Sequence, residues 1–460
     1  MKKLVFLFTM VFAVSMVMAQ NDVDLSQTGA NQVADISQTG SNNDADVTQF
    51  TDNDGKQKST VIQTGKRNTV DVEQNQTGGG DNGMNRAFIQ QVGNDNYGKQ
   101  YENAPGYNGG QRVTAYQTGN LNDVRQSIFS GYTESFYTEQ IGHKNDAIQE
   151  ATGGGHNHGH VFQWGHENWA KQEIFGSNHG YMSAEIKIVQ DGSLNDASQL
   201  FQQGGSGTKN NGEIYQYGDE NYAYQEAIGK DLDLQLWQRS DDNRSVQKSW
   251  GNNNVSYLDQ LDANNKSEII QDGDNNSTKL YHSGSGNIKA LQEGNYNKIA
   301  GIDYSCEELE WGDVFNLKAT QLGEYNELFI TSNGSVTVMQ DNSAAATMLG
   351  NTIKYYQYGV GNTKLSQVGD ENKIGLIHGG NGNVDIKQEG NGNKVGSFVD
   401  VFADPAVMSD PCCGHFNGTK LDIDQLGDGN LLHLNSTGFS DNISVMQSGN
   451  NHAASIVQTP

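Results

Sequence analysis

The stretch that decides the fold is Gln38-Thr-Gly-Ser-Asn-Asn-Asp-Ala-Asp-Val-Thr-Gln49. Asn43, Ala45, Val47 and Gln49 alternate with Asp44, Asp46 and Thr48. A period of two describes a strand with two unlike faces. One face carries amides and small or branched apolar groups; the other carries acids and hydroxyls. Gly40-Ser-Asn42 precedes the strand and reads as a turn, because Gly and Asn accept the left-handed backbone that turns require.

Gln38, Gly40 and Asn43 define the pattern Gln-x-Gly-x-x-Asn, and the chain repeats it almost throughout. It recurs at Gln63/Gly65/Asn68, Gln91/Gly93/Asn96, Gln117/Gly119/Asn122, Gln140/Gly142/Asn145 and Gln163/Gly165/Asn168. Further copies are Gln190/Gly192/Asn195, Gln216/Gly218/Asn221, Gln271/Gly273/Asn276, Gln292/Gly294/Asn297 and Gln321/Gly323/Asn326. The last are Gln357/Gly359/Asn362, Gln367/Gly369/Asn372, Gln388/Gly390/Asn393 and Gln425/Gly427/Asn430. Repetition of this kind outranks any local signal when a fold is assigned. Copies stand about 22 residues apart in some stretches and about half that in others, which predicts a unit of two strand-turn halves.

Two strands of this length facing each other form one flat layer. Stacking layers at about 4.8 Å places Gln over Gln and Asn over Asn. Each amide then donates to one neighbour and accepts from the other, so a polar interior needs no water. The expected fold is therefore an all-β solenoid of stacked strand-turn-strand layers over residues 20–460, amyloid-like, with loop insertions. Pro105, Pro405, Pro411 and Pro460 lie outside the clear repeat strands, as expected for a residue with no N–H to give a ladder. Insertions are expected near 97–112, 151–160, 301–313 and 398–420. The repeat starts near Asp24 and runs to Gln458 with no capping segment at either end, so both outermost layers are expected to offer open strand edges.

Residues 1–19 read as a secretory signal: Lys2 and Lys3, an apolar run from Leu4 to Val17, and Val17-Met-Ala19 before the expected cut. The formal net charge of −26 disfavours phosphate backbones and anionic membranes, so neither nucleic acid nor membrane insertion is expected. Cys306, Cys412 and Cys413 are too few for a disulfide framework in a chain this long; Cys306 pairing with Cys412 or Cys413 stays open.

Chemistry-bearing motifs are sparse. His156, His158 and His160 alternate and are the best metal candidates, weighed against a plain Gly/His loop. Asp272-Gly-Asp274 and Asp428-Gly-Asn430 lack calcium-loop spacing, and the turn reading is preferred. The outer aromatics Trp164, Trp169, Tyr217, Tyr222, Tyr224, Tyr355 and Tyr358 read as cross-layer packing before sugar stacking. No nucleophile elbow, phosphate loop or metalloprotease helix occurs. No catalytic residue and no cofactor is expected.

Gln38 to Gln49 also resembles the curlin repeat of curli fibre subunits. Gln447-Ser-Gly449-Asn-Asn-His452-Ala-Ala-Ser-Ile-Val-Gln458 resembles it too, with His for Asn and a shifted Ala. The resemblance implies a secreted structural subunit of adhesive functional amyloid in biofilm matrix, of the fimbrial kind. It also implies export through a dedicated outer-membrane channel, nucleator or accessory subunits as partners, and host or abiotic surfaces as targets. The chain departs from the common family pattern in length, repeat number and insertions. Rival readings are a monomeric solenoid adhesin, a minor nucleator and, more distantly, a glycan-degrading β-helix enzyme.

Overall fold

A computed structural model of the chain describes residues 20–52, 55–77, 83–105, 110–129, 134–153, 156–176, 183–202, 209–228, 233–282, 287–300, 316–331, 335–345, 349–357, 362–378, 383–396, 420–436 and 442–458. The described residues form thirty-six strands and no helix. The signal segment and all three cysteines lie outside them, as do the expected insertions 301–313 and, but for its last residue, 398–420.

The chain divides into two compact units, Met1–Tyr224 and Gln225–Pro460, both built by stacking parallel strands into a β-solenoid. In the first, β1 (Asp22–Thr28), β3 (Asp44–Thr51), β5 (Thr69–Thr77), β7 (Tyr97–Pro105), β9 (Asp123–Phe129), β11 (Asp146–Thr152), β13 (Trp169–Phe175) and β15 (Asp196–Gln202) form one sheet. The second sheet stacks β2 (Gln32–Ser41), β4 (Lys56–Lys66), β6 (Met84–Asn94), β8 (Arg112–Asn120), β10 (Ser135–His143), β12 (His158–His166), β14 (Ser183–Ser193) and β16 (Lys209–Tyr217). β17 (Tyr222–Ile228) carries the unit boundary.

In the second unit one sheet contains β19 (Arg244–Trp250), β21 (Lys266–Asp272), β23 (Asn287–Glu293), β25 (Leu317–Leu322), β27 (Val336–Asp341), β29 (Leu365–Val368), β31 (Asn383–Glu389), β33 (Lys420–Leu426) and β35 (Asn442–Ser448). The other contains β18 (Asp233–Gln238), β20 (Val255–Gln260), β22 (Ser277–His282), β24 (Lys298–Ala300), β26 (Glu327–Thr331), β28 (Thr352–Gln357), β30 (Lys373–His378), β32 (Lys394–Gly396), β34 (Leu431–Ser436) and β36 (Ala453–Gln458).

Side-chain parity follows the sequence. Ala45, Val47 and Gln49 are buried while Asp44 and Asp46 face out. Between the two sheets the core mixes amides with Ala, Val and Ile, and local size is balanced. Phe136 and Phe201 are fully buried because Gly159 and Gly212 stand beside them: a Cβ on Gly159 would meet Phe136 at 2.7 Å, and one on Gly212 would meet Phe201 at 2.1 Å.

Two expected insertions differ. Residues 97–105 of the 97–112 segment are strand β7, paired with β5 and β9. Pro105 takes the last position of that strand, opposite Thr77, and a strand end tolerates its missing N–H better than a strand interior. Within 151–160, Ala151 and Thr152 close β11 and His158 to His160 open β12. Gly153 and Asn157 still bond to neighbouring layers: Gly153 N–H donates to Phe129 O at 3.2 Å, and Ser135 N–H donates to Asn157 O at 2.8 Å.

The two halves of the repeat are not equivalent either. In the first unit the Gly-x-x-Asn turn follows the β2-to-β16 strands; in the second it follows β19, β21, β23, β25, β29, β31 and β33, with His452 in the asparagine place after β35. Asn362 lies on the other, loop side. It is exposed and donates to Asn383 Oδ1 at 2.9 Å, outside the buried asparagine column. Asn351, with no Gln-x-Gly before it, takes the column position between Asn326 and Asn372. The side chain of Gln357 and all of Gly359 lie outside the described residues.

The turn glycines have no alternative. Gly142 has φ +135°, and a Cβ there would lie 1.8 Å from the carbonyl oxygen of Gly165 in the next layer. Gly392 has φ +67° and nothing within 4 Å of the same position. Gly142→Ala should therefore cost roughly 3 kcal/mol or more, combining strain with overpacking. Gly392→Ala should cost about 1 kcal/mol, from the left-handed backbone alone. Denaturant unfolding measures both; equal costs would remove close layer approach as the reason for the glycine column.

Candidate functional site

The candidate site is the column of stacked amides, which decides what the solenoid can pair with. In the first unit each glutamine of β2 to β16 donates Nε2 to Oε1 of the next: Gln38 to Gln63 (2.8 Å), Gln63 to Gln91 (3.0 Å), Gln91 to Gln117 (2.8 Å) and Gln117 to Gln140 (2.9 Å). The run continues from Gln140 to Gln163 (2.8 Å), to Gln190 (2.9 Å) and to Gln216 (2.9 Å). Strand register sets this, because Gln140 pairs with Gln117 on one side and Gln163 on the other. The second Nε2 hydrogen serves a backbone carbonyl, as from Gln140 to Asp123 O at 2.7 Å. Gln38 is half-buried; the glutamines from Gln63 to Gln216 are fully buried. In the second unit Gln271 donates to Gln292 (3.0 Å), Gln292 to Gln321 (2.9 Å), Gln388 to Gln425 (2.8 Å) and Gln425 to Gln447 (2.6 Å). One amide runs backwards, Gln367 to Gln340 at 3.0 Å.

Asparagine does a second job. Asn68 N–H and Nδ2 both donate to Asn43 Oδ1 (3.1 Å each), and Nδ2 also donates to Gly93 O at 2.9 Å. Asn96, Asn122, Asn145, Asn168, Asn195 and Asn221 each donate N–H to the Oδ1 of the asparagine before. In the second unit Asn276, Asn297, Asn393 and Asn430 do the same. One side chain thus joins three layers and holds the turn shut over its glycine. The residue before it adopts left-handed backbone whatever its type: Asn42 (φ 58°), Arg67 (55°), Leu121 (59°), Glu167 (56°). No composition signal marks Leu121 or Glu167 for that role; the asparagine bonds beside them hold it. The turn glycines Gly40, Gly65, Gly119, Gly142, Gly165, Gly192, Gly218, Gly273, Gly294, Gly390 and Gly427 all have positive φ.

The opposite sheet of the first unit has its own column, and it contains a fault that sequence reading missed. Gln27 donates to Gln49 (2.7 Å) and Gln49 to Gln74 (2.8 Å), but Gln74 donates to Glu102 Oε2 (2.7 Å). A fresh run begins two residues earlier on the same strand, from Gln100 to Gln126, Gln149, Gln172 and Gln199. Register forces the break: Glu102 stands under Ile128, and Gln100 stands over Val72. Two buried oxygens, Glu102 Oε1 and Gln100 Oε1, meet no donor. Glu102 is fully buried, and that burial, opposed by its bonds with Gln74 and the Val113 backbone, pushes its carboxyl up to about 8.

The remaining candidates are built into packing. His158 lies 2.5 Å from Ser135 Oγ through Nδ1. The His160 ring packs against Tyr137 (6.1 Å) and Phe162 (6.4 Å), and burial pulls its pKa down. His156 precedes β12 on the same face, and no metal-holding cluster occurs among the described residues. Asp274 and Asp428 accept turn N–H groups of the layer before, from Asn252 (2.6 Å) and Asn391 (2.7 Å). Outer aromatics pack across layers from Phe88 to Tyr116 (5.1 Å), Tyr116 to Tyr137 (5.8 Å) and Tyr137 to Phe162 (5.4 Å), whereas Trp164 and Tyr217 meet Phe162 (6.2 Å) and Tyr215 (6.4 Å) along their own strands. Among the described residues no helix is long and apolar enough to cross a membrane.

Residues 20–50 match the family described as curlin associated repeat. That span contains β1, β2 and most of β3. No curated protein matches the chain.

Gln140→Ala would leave Gln117 Nε2 and Gln163 Oε1 facing a gap, at about 1–3 kcal/mol for each stranded group. Glu139→Ala, on the outer face, should stay within about 0.5 kcal/mol. Equal losses in denaturant unfolding would show that the amide column is not what the fold depends on.

Glu102 gives a pH signature. Its folded pKa, about 8, lies above the unfolded value near 4.3, so folding takes up a proton between those limits. Its stabilisation of the fold is complete below the unfolded value and is lost as pH rises through the folded one. Stability should thus fall by a few kcal/mol between about pH 5 and pH 8 and level off above. Glu102→Gln should flatten that window and stabilise the chain at pH 8; an unchanged slope would mean Glu102 is not the group.

Proposed function

We propose that the chain is a non-enzymatic structural subunit of extracellular, curli-like amyloid fibres, adding copies end to end through the open edges of its outermost layers. One observation carries this reading. Among the described residues no strand lies outside β1 and β2 at one end, or outside β35 and β36 at the other. Asp22 N–H bonds inward to Asn43 O at 2.8 Å, so alternation aims the backbone of Val23 and Leu25 at the open edge. Their side chains are 46% and 44% exposed. Amide polarity supports addition in one sense. Apart from Gln367, the column glutamines aim Nε2 toward later layers, so the first layer offers Gln27 and Gln38 oxygens while the last offers Gln447 Nε2.

The curlin repeat match supports a curli-type setting: export after signal cleavage, a dedicated secretion channel, nucleator or accessory subunits, and adhesion within biofilm matrix. Nothing in the amide columns resembles a catalytic constellation. The column glutamines are neutral amides, which neither titrate nor act as nucleophiles near neutral pH.

Purified chain from residue 20 onward should form fibres whose lag vanishes on seeding, with a meridional reflection near 4.8 Å. Val23→Pro with Leu25→Pro removes open-edge donors and should stop seeded growth by at least tenfold while leaving the circular dichroism of the monomer unchanged. A wild-type chain that stays monomeric with seeds present would defeat the proposal.

A further inference from the structure

The two outer faces of the first unit carry like-charged columns of opposite sign. On the sheet containing β1, β3 and β5, Asp24, Asp46 and Asp71 stand in direct cross-strand register, and the acidic run ends where Lys99 of β7 follows with its Nζ 2.7 Å from Asp71 Oδ2. The crowding is felt electrostatically: burial first, then Asp71, Asp24, Asp44 and Glu73, raises the Asp46 carboxyl above the usual range. On the sheet containing β4, β6 and β8, Lys58, Arg86 and Arg112 stand in register in the same way and are exposed. Lys58 reaches Asp35 at 3.2 Å. Among the described residues Arg86 and Arg112 have no carboxylate within ion-pair distance.

Both columns share one spacing because both ride on stacked strands, about 4.8 Å per step. A column of cations at that step is matched charge for charge only by carboxylates at the same step. Another copy of this solenoid carries carboxylates at that step already held in place by its strands. Juxtaposing the columns relieves repulsion within each and adds attraction between them, and it fixes the relative height of the two copies.

We propose that unit Met1–Tyr224 is a lateral docking surface for a second copy of the chain, with the Lys58–Arg86–Arg112 column of one lying against the Asp24–Asp46–Asp71 column of the other. No end-on contact is involved, so lateral pairing stands or falls apart from the fibre reading. Where fibres form, it joins them side by side.

The test uses the chain from residue 20 onward, read by analytical ultracentrifugation for soluble pairs and by electron microscopy for bundle width. Wild type should associate sideways at about 20 mM salt and separate by about 0.5 M, where the Debye length drops to a few ångströms. R86E/R112E and D24K/D46K/D71K should each lose lateral association by at least tenfold, with elongation rates unchanged. Mixing the two variants should restore pairing. Association of wild type that ignores salt overturns the proposal, and that measurement needs no variant to fold. So does failure of the mixture to pair, when each variant keeps the wild-type circular dichroism. Binding of a sulfated polysaccharide by wild type in place of self-association would also overturn it, giving the cation column to a different partner.

Discussion

The interaction on which the fold depends is the bond between an amide side chain and its copy in the next layer. An amide has two donors and an acceptor that all need partners once buried, and an unmet one costs about 1–3 kcal/mol. The bonds close only if successive layers repeat the same residue at the same height. That condition explains a mostly polar interior from which water is excluded. It also explains why Asn68 binds Asn43 on one side and Gly93 on the other, and why the glycine of each turn leaves no room for a Cβ. Sequence repetition here is a bonding requirement.

Because the requirement is local in height but indifferent to what leaves the side of the stack, layers differ freely in length. From β3 to β5 partners lie 25 residues apart; from β31 to β33 they lie 37 apart. Extra chain costs little so long as both ends return to register, since closure entropy grows only with the logarithm of loop length. Long insertions are therefore compatible with an unbroken column, as the bond from Gln388 to Gln425 at 2.8 Å illustrates.

What was legible in the sequence was whatever repeats. The parity of Ala45, Val47 and Gln49, the buried glutamines and the turn glycines all follow from alternation and spacing. What was hidden depends on neighbours in space. Tyr97 to Pro105 reads as an excursion because it contains proline and no repeat match, yet β5 and β9 supply its edges. Asn362 matches the motif but sits on the loop side, whereas Asn351 lacks the motif and sits in the column. Motif identity does not say which of the two turns of a layer it closes. Leu121 and Glu167 in left-handed backbone carry no signal at all, because the asparagine that follows holds them there.

Glu102 shows how the same rule produces its own exception. A column can move two residues along a strand, keeping parity, only where one layer carries both positions. β7 does, with Gln100 and Glu102 on the same inner face. The old column must end there and the new one begin, which strands an acceptor at each. A second amide at position 102 would end the old column with a spare donor; a carboxylate ends it with an oxygen. Burial makes that oxygen hold a proton, and a protonated carboxyl is itself a donor. The fault therefore replaces an amide hydrogen with a titratable one. At that layer the ladder acquires a dependence on pH.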